Sequence, residues 1–288
     1  MVKKIPIAIA YDFDGTLSPG NMQEHSFIPD LGISKNKFWN EAKENAKKHN
    51  MDEILAYMHL MLEKARNAGK RINRQAFQEH GKKIEFFDGI PDWFDRINKY
   101  AIEKEVNIKH FIISSGLREL IDGSDIKNKF EYIFASGFMY DQHDVAIWPA
   151  LALNYTTKTQ FLFRINKGIM NSYDNSRINK FTPQNERPFP FSKMIYIGDG
   201  ETDIPCMKMI RHQGGYAIAV YNPRTRRSRK KVSLKENAIE LLSQERTDYV
   251  AKADYSAGEE LEQIVKAIID KIVAESKLYR VKRQYNKR

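Results

Sequence analysis

Short stretches of this chain carry side chains suited to phosphorus or metal chemistry, and most of them follow apolar runs. The first is Asp12-Phe13-Asp14-Gly15-Thr16, directly after the run 5–11 (IPIAIAY). Alternate residues at a strand end project to the same side, so Asp12 and Asp14 can face one point. Alternatively, Asp14 curls over Asp12 as the chain turns at Gly15. Adjacent carboxylates repel unless a cation or a shared proton lies between them. A hard cation such as Mg²⁺ prefers oxygen ligands and suits the pair. A carboxylate held in this way is also a nucleophile towards phosphorus. The same stretch reads equally as a polar turn after a strand.

The run 108–113 (IKHFII) ends in Ser114-Ser115-Gly116-Leu117-Arg118. A hydroxyl with exposed backbone N–H groups at a helix start makes a phosphate or oxyanion site, and it also makes an ordinary N-cap. Lys158 lies before Phe161-Leu162-Phe163 and draws notice only through its place in the order of motifs. The run 194–197 (MIYI) ends in Gly198-Asp199-Gly200-Glu201-Thr202-Asp203. Its acids can complete a cation site, or form an acidic loop in which Asp203 caps the next helix. Glu24 and His25, with Asn21 and Gln23, are candidate substrate contacts close to the first motif. Arg118 is another, because Arg pairs well with carboxylate and phosphate. Cys206 reads as a packing residue, and the scattered histidines offer no zinc site.

The elements needed to position these groups are legible as patterns. The runs 5–11, 108–113, 194–197 and 216–221 fit buried parallel strands. Open α/β sheets place their sites at the carboxyl ends of such strands. Between the first two runs, Phe38, Trp39, Ala42 and Ala46, then Met51, Ile54, Leu55, Met58 and Leu62, follow helical spacing. An Asn50/Glu53 pair is expected to cap the second of these helices. Residues 91–105 form a further amphipathic helix, 133–148 a strand pair around a turn, and 164–192 a long surface excursion. A last helix opens near Ser256 and Glu259 and presents Leu261, Ile264, Val265, Ile268, Ile269, Ile272 and Val273 on one face. The expected fold is α/β, a parallel Rossmann-like sheet with helices on both faces. Its core spans 1–19 and 86–276, with a helical cap at 20–85 over the carboxyl edge and a basic tail at 277–288.

The chain has 288 residues and a net charge of +10. Segments 224–231 and 277–288 each carry six basic and no acidic residues; the remainder holds 35 Lys and Arg against 37 Asp and Glu. The basicity is therefore local, suited either to a polyanion or to a solvated loop and a frayed tail. One cysteine excludes an internal disulfide, and no apolar run is long enough to span a membrane. The N-terminal lysines and short apolar run lack a cleavage site, so a cytoplasmic protein is the expectation.

Taken in order, these motifs resemble the haloacid dehalogenase superfamily, and within it the phosphoserine-phosphatase-like branch with a helical cap. The resemblance spans about residues 5–221 and rests most on the first and fourth motifs. It implies a Mg²⁺-dependent phosphatase. Asp12 would be the nucleophile and Asp14 the general acid and base. Asp12, the backbone carbonyl of Asp14 and Asp199 would bind Mg²⁺. Ser114, Ser115, Gly116 and Lys158 would hold the phosphoryl oxygens, with Asp203 orienting Lys158 or a metal-bound water. Dehalogenases lack a carboxylate at the position of Asp14, and the related ATPases carry Thr there, so Asp12-x-Asp14 favours a phosphatase or a phosphomutase.

The leading reading is a phosphomonoesterase acting on a small metabolite. A nucleic-acid-binding protein or nucleic-acid-end phosphatase, using 224–231 and 277–288, is the reading from another class. Salt dependence separates them, since binding through many phosphates falls steeply with salt.

Overall fold

The computed structural model describes residues 4–200, 202–223 and 233–285. Strand β1 (Ile5–Tyr11) is apolar throughout and almost wholly buried, as a central strand covered on both faces must be. A 3₁₀ turn (Met22–Glu24) and helices α1 (Phe27–Asp30), α2 (Lys35–His49), α3 (Glu53–Asn67) and α4 (Arg74–Gly81) follow. Helix α5 (Ile90–Glu103) returns the chain to β2 (Val106–Leu117), and α6 (Arg118–Gly123) leads to the hairpin β3 (Tyr132–Tyr140) and β4 (Ala146–Leu151). The α-helices and strands that follow are α7 (Lys158–Lys167), α8 (Asn175–Asn179), β5 (Met194–Gly198), α9 (Ile204–His212), β6 (Tyr216–Tyr221), α10 (Leu234–Ser243), β7 (Tyr249–Lys252) and α11 (Glu260–Tyr285).

The sheet runs β4-β3-β2-β1-β5-β6-β7, parallel except for the β3–β4 pair. The side-chain period of two divides the core. Ile7, Ile9 and Tyr11 face α5 and α11, while Ala8 and Ala10 join Phe161 and Leu162 of α7 and Met207 and Ile210 of α9. Helices therefore cover both faces, as the strand runs imply. Tyr11 pairs with Ile112 of β2 and Ile197 of β5, so the chain emerges at Asp12, Ser114 and Asp199 along one carboxyl edge.

Several local expectations are corrected. Asn50 does not cap α3; it ends α2 in a left-handed conformation (φ 47°), which Asn tolerates well. Asp52 is the cap, its carboxylate accepting from the Ile54 and Leu55 N–H groups. The surface excursion expected over 164–192 begins within α7 and carries the short helix α8. Buried Arg164 donates to the carbonyls of Asn171, Ser172 and Asp174 and folds the segment back. The basic tail is helical to Tyr285, continuing α11 beyond its buried face. Lys and Arg are good helix formers, and positive charge suits a helix C-terminus. The basic stretch 224–231 lies outside the described residues. No helix among the described residues is long and apolar enough to cross a membrane.

Candidate active site

Asp12 leaves β1 with its N–H donating to the Ile197 carbonyl at 2.9 Å, which ties the first motif to the strand before the fourth. The residue is only 3% exposed. At the first turn of α7, Lys158 is fully buried and bridges two acids. Its Nζ lies 2.8 Å from Asp12 Oδ1 and 2.8 Å from Asp203 Oδ1, and 3.5 Å from Thr202 Oγ1. Asp203 does not cap α9 through its side chain. Its Oδ1 also accepts from the Tyr196 hydroxyl at 2.6 Å, and its Oδ2 accepts from the Asp199 N–H at 3.2 Å.

Burial, then the charge of Asp203, push the Asp12 carboxyl up to about 7 against the pull of Lys158. Burial and Asp12 hold Asp14 well above the carboxylate range. Burial and Asp203 do the same to Asp199. Asp199 is hemmed in by protein yet presents an exposed face, as a group lining an open pocket does. Burial acts to lower Lys158, but the carboxylates of Asp12 and Asp203 outweigh it and hold the ammonium above its usual range.

Asp12, Asp199 and Asp203 each offer a carboxylate oxygen, and these atoms lie within 4.8 Å of one another. That donor set fits a hard divalent cation. Asp203 is the poorest ligand of the three, because both of its oxygens are already engaged. Asp12 and Asp199 remain, and a cation between them would offset the burial of both carboxylates and the neighbouring negative charge that raises them.

Asp14 Oδ1 accepts from the Met22 N–H at 2.8 Å, and the side chain lines the pocket. Ser114 closes the other side of the site, its Oγ accepting from the Gly116 N–H at 2.9 Å. The Leu117 N–H donates to Met22 Sδ at 3.2 Å. The expected cradle of free backbone N–H groups is thus partly spent on protein acceptors.

These groups line a pocket of about 430 Å³ between the sheet edge and helices α2 and α3. Asp12, Asp14, Ser114, Ser115, Gly116, Lys158 and Asp199 all reach it. Asn21 and Gln23 do too, and Gln23 Oε1 and Ser115 Oγ are buried with no partner among the described residues. Glu24, His25 and Arg118 do not reach it. The Glu24 carboxylate holds Trp39 Nε1, Asn21 and Lys35. His25 is bonded to Ser18 and the Pro19 carbonyl. Arg118 pairs with Asp122 at 3.5 Å and lies over the Tyr132 ring. Glu201 lies outside the described residues. Cys206 is buried in the core.

The sequence reading missed Trp39, Lys43, Glu53 and Tyr57, which form the far wall of the pocket. Trp39 and Lys43 stand one turn apart on α2, Glu53 and Tyr57 one turn apart on α3. That i, i+4 spacing was the available signal, but on an amphipathic helix it is shared with ordinary core positions. Tyr196 was readable as the strand residue two before Gly198, and Thr202 as a hydroxyl within the fourth motif.

Comparisons with known proteins bear on the fold and the family. The chain is 27% identical to an uncharacterized protein of Borreliella burgdorferi over 282 residues, 88% of this chain and 93% of that protein. Among solved structures it resembles a probable phosphoserine phosphatase from Vibrio cholerae, with TM-score 0.58, 14% identity, and coverage of 94% of this chain and 67% of that one. It also resembles a hydrolase from Salmonella enterica serovar Typhi, with TM-score 0.56, 16% identity, and coverage of 92% and 72%. A substrate-bound phosphoserine phosphatase complex gives TM-score 0.54 at 14% identity, covering 92% of this chain and 99% of that one. Residues 9–208, which hold every one of the site's acids and Lys158, match the haloacid dehalogenase-like hydrolase family, and the chain is a hydrolase of that family.

Proposed function

We propose that the protein is a Mg²⁺-dependent phosphomonoesterase acting on a small phosphorylated metabolite through an aspartyl-phosphate. The observation that carries this reading is Lys158, buried between Asp12 and Asp203 with Asp199 beside them, all but Asp203 lining one pocket. A phosphate dianion approaching a carboxylate nucleophile needs positive charge at that point.

In the mechanism, an Asp12 oxygen attacks phosphorus and the bond to the leaving alcohol oxygen breaks. Burial, then the charge of Asp12, hold the Asp14 carboxyl well above its usual range, which favours its protonated form, and it gives its proton to that oxygen. The resulting Asp14 carboxylate then takes a proton from water, which attacks phosphorus; the bond to Asp12 breaks, and inorganic phosphate leaves. Lys158 and Ser114 hold the phosphoryl oxygens, and Asp203 with Tyr196 keeps Lys158 aimed. Asp12, the backbone carbonyl of Asp14 and Asp199 would hold Mg²⁺, which supplies Lewis-acid charge to the transferring group.

Residues 20–85 serve as the cap. Met22 and Tyr57 within this segment touch the first and second motifs, and α2 and α3 wall the pocket. A pocket of about 430 Å³ suits a small ester rather than a polymer end. The test is phosphate release from a library of phosphorylated metabolites with and without Mg²⁺. We expect release that requires the metal; no release from any ester would sink the reading.

A further inference from the structure

One hydrogen-bonded relay joins the helical segment to the second motif. Tyr57, on α3, is 4% exposed, and its hydroxyl donates to the Ser115 carbonyl at 2.7 Å. Ser136 Oγ, on β3, donates to the same oxygen at 3.0 Å, while itself accepting from the Leu153 N–H at 3.0 Å. Both lone pairs of the Ser115 carbonyl are thereby used. A peptide unit is planar and trans, so fixing that carbonyl fixes the Gly116 N–H on the opposite side. That N–H donates to Ser114 Oγ at 2.9 Å. A hydroxyl oxygen that accepts from the backbone keeps its own proton for another acceptor.

We propose that Tyr57 is a positioning residue for phosphoryl binding. Through the Ser115–Gly116 peptide it turns the Ser114 hydroxyl to donate to a phosphoryl oxygen. Because Tyr57 belongs to the helical segment and Ser115 to the sheet edge, the relay is complete only when α3 is docked. The Tyr57 ring is held for this role. It meets Trp39 edge-on, with centroids 5.7 Å apart, and Trp39 Nε1 donates to Glu24 at 2.8 Å. Gly116 permits the close fit, since a Cβ there would lie 2.1 Å from Met22 Cε and 3.0 Å from Asp14 Oδ2. Successive hydrogen bonds polarise one another, so a distant hydroxyl can strengthen the last donor.

The inference rests on the phosphatase reading, and its test separates the two. Inorganic phosphate binding in the presence of Mg²⁺, and kcat and KM for p-nitrophenyl phosphate, are measured for the full-length protein, Tyr57→Phe, Ser114→Ala and the double variant. Tyr57→Phe keeps the ring and its packing. We expect it to weaken phosphate binding about tenfold and to raise KM by a similar factor, with kcat changed less. In the Ser114→Ala background the same substitution should change phosphate binding less than twofold, since Tyr57 acts through Ser114. Equal losses in both backgrounds, or unchanged phosphate binding in Tyr57→Phe, would overturn the relay while leaving a working phosphatase. A wild-type protein that neither binds phosphate nor hydrolyses the ester would overturn both.

Discussion

Gly15 and Asp199 stand so close that no side chain fits between them: a Cβ on Gly15 would lie 2.1 Å from Asp199 Oδ2. The first motif thus packs directly on the carboxylate supplied by the fourth. Gly15 also has φ 76°, a left-handed conformation that costs an L-residue roughly 1–2 kcal/mol. Gly15→Ala must therefore displace Asp199 as well as strain the turn. We expect at least a tenfold rise in the Mg²⁺ concentration giving half-maximal turnover. A metal titration of activity is the check, and an unchanged midpoint would mean that Asp199 takes no part in holding the ion.

Asp12 and Asp199 should respond differently to the same isosteric change. Asp12→Asn keeps the shape but removes the carboxylate proposed as nucleophile and metal ligand, and turnover should fall below detection while the protein remains folded. It also removes one of the two charges that hold Lys158, leaving Asp203 as its partner. Asp199→Asn should leave a working nucleophile and raise the metal requirement. Steady-state kinetics across a Mg²⁺ series, beside circular dichroism, separates the two. Near-normal turnover by Asp12→Asn would rule out the covalent route.

Much of this site was legible in the sequence because its parts sit at strand ends. An apolar run such as IPIAIAY stops where a carboxylate begins, and burial on both faces makes that boundary visible. Lys158 was weak by itself, since nothing local distinguishes it from a surface lysine. Its meaning comes from Asp12 and Asp203, residues 146 and 45 positions away. Tyr57 was not legible, because it occupies a helix position that reads as core and its partner is a backbone carbonyl 58 residues on. β7 was missed because YVAK is too short for a pattern. The helical tail was missed because its residues 277–282 lack a buried face, and their helix rests on propensity and continuity instead.

Truncation after Ser276 removes the exposed end of α11. Leu278, Tyr279 and Val281 there are each more than half exposed, while the packed face ends near Val273 and Ser276. Little apolar area is lost, and exposed charges contribute little. The melting temperature should move by no more than a few degrees and turnover of a small ester should barely change. Calorimetry beside a phosphatase assay checks this, and loss of activity would mean that the end of α11 supports the catalytic domain. A filter-binding titration at two salt concentrations tests the same truncation for a polyanion role, which a flattened salt slope would reveal.

His110 gives the fold a pH dependence of known sign. It lies on β2 behind the site, 3% exposed, in a chain running from Trp93 Nε1 to the Tyr11 hydroxyl, from that hydroxyl to His110 Nδ1, and from His110 Nε2 to Asn98 Oδ1. Nε2 faces the acceptor Asn98 Oδ1 and so carries the proton of a neutral ring, which leaves Nδ1 to accept from the Tyr11 hydroxyl. Burial pushes its pKa from 6.5 down to about 3. The unfolded chain takes up a proton below its own pKa and the folded one does not. The contribution of this group is therefore intact above about pH 6.5 and is lost progressively as pH falls towards 3. By pH 5 the loss amounts to about 2 kcal/mol, a figure set by the unfolded pKa. His110→Gln keeps an acceptor and a donor but cannot take up the proton. Urea unfolding at pH 7 and pH 5 should show the wild type losing about 2 kcal/mol more than this variant. Equal losses would mean that His110 is charged in the folded protein, and the Tyr11 hydroxyl would then have to turn its proton elsewhere.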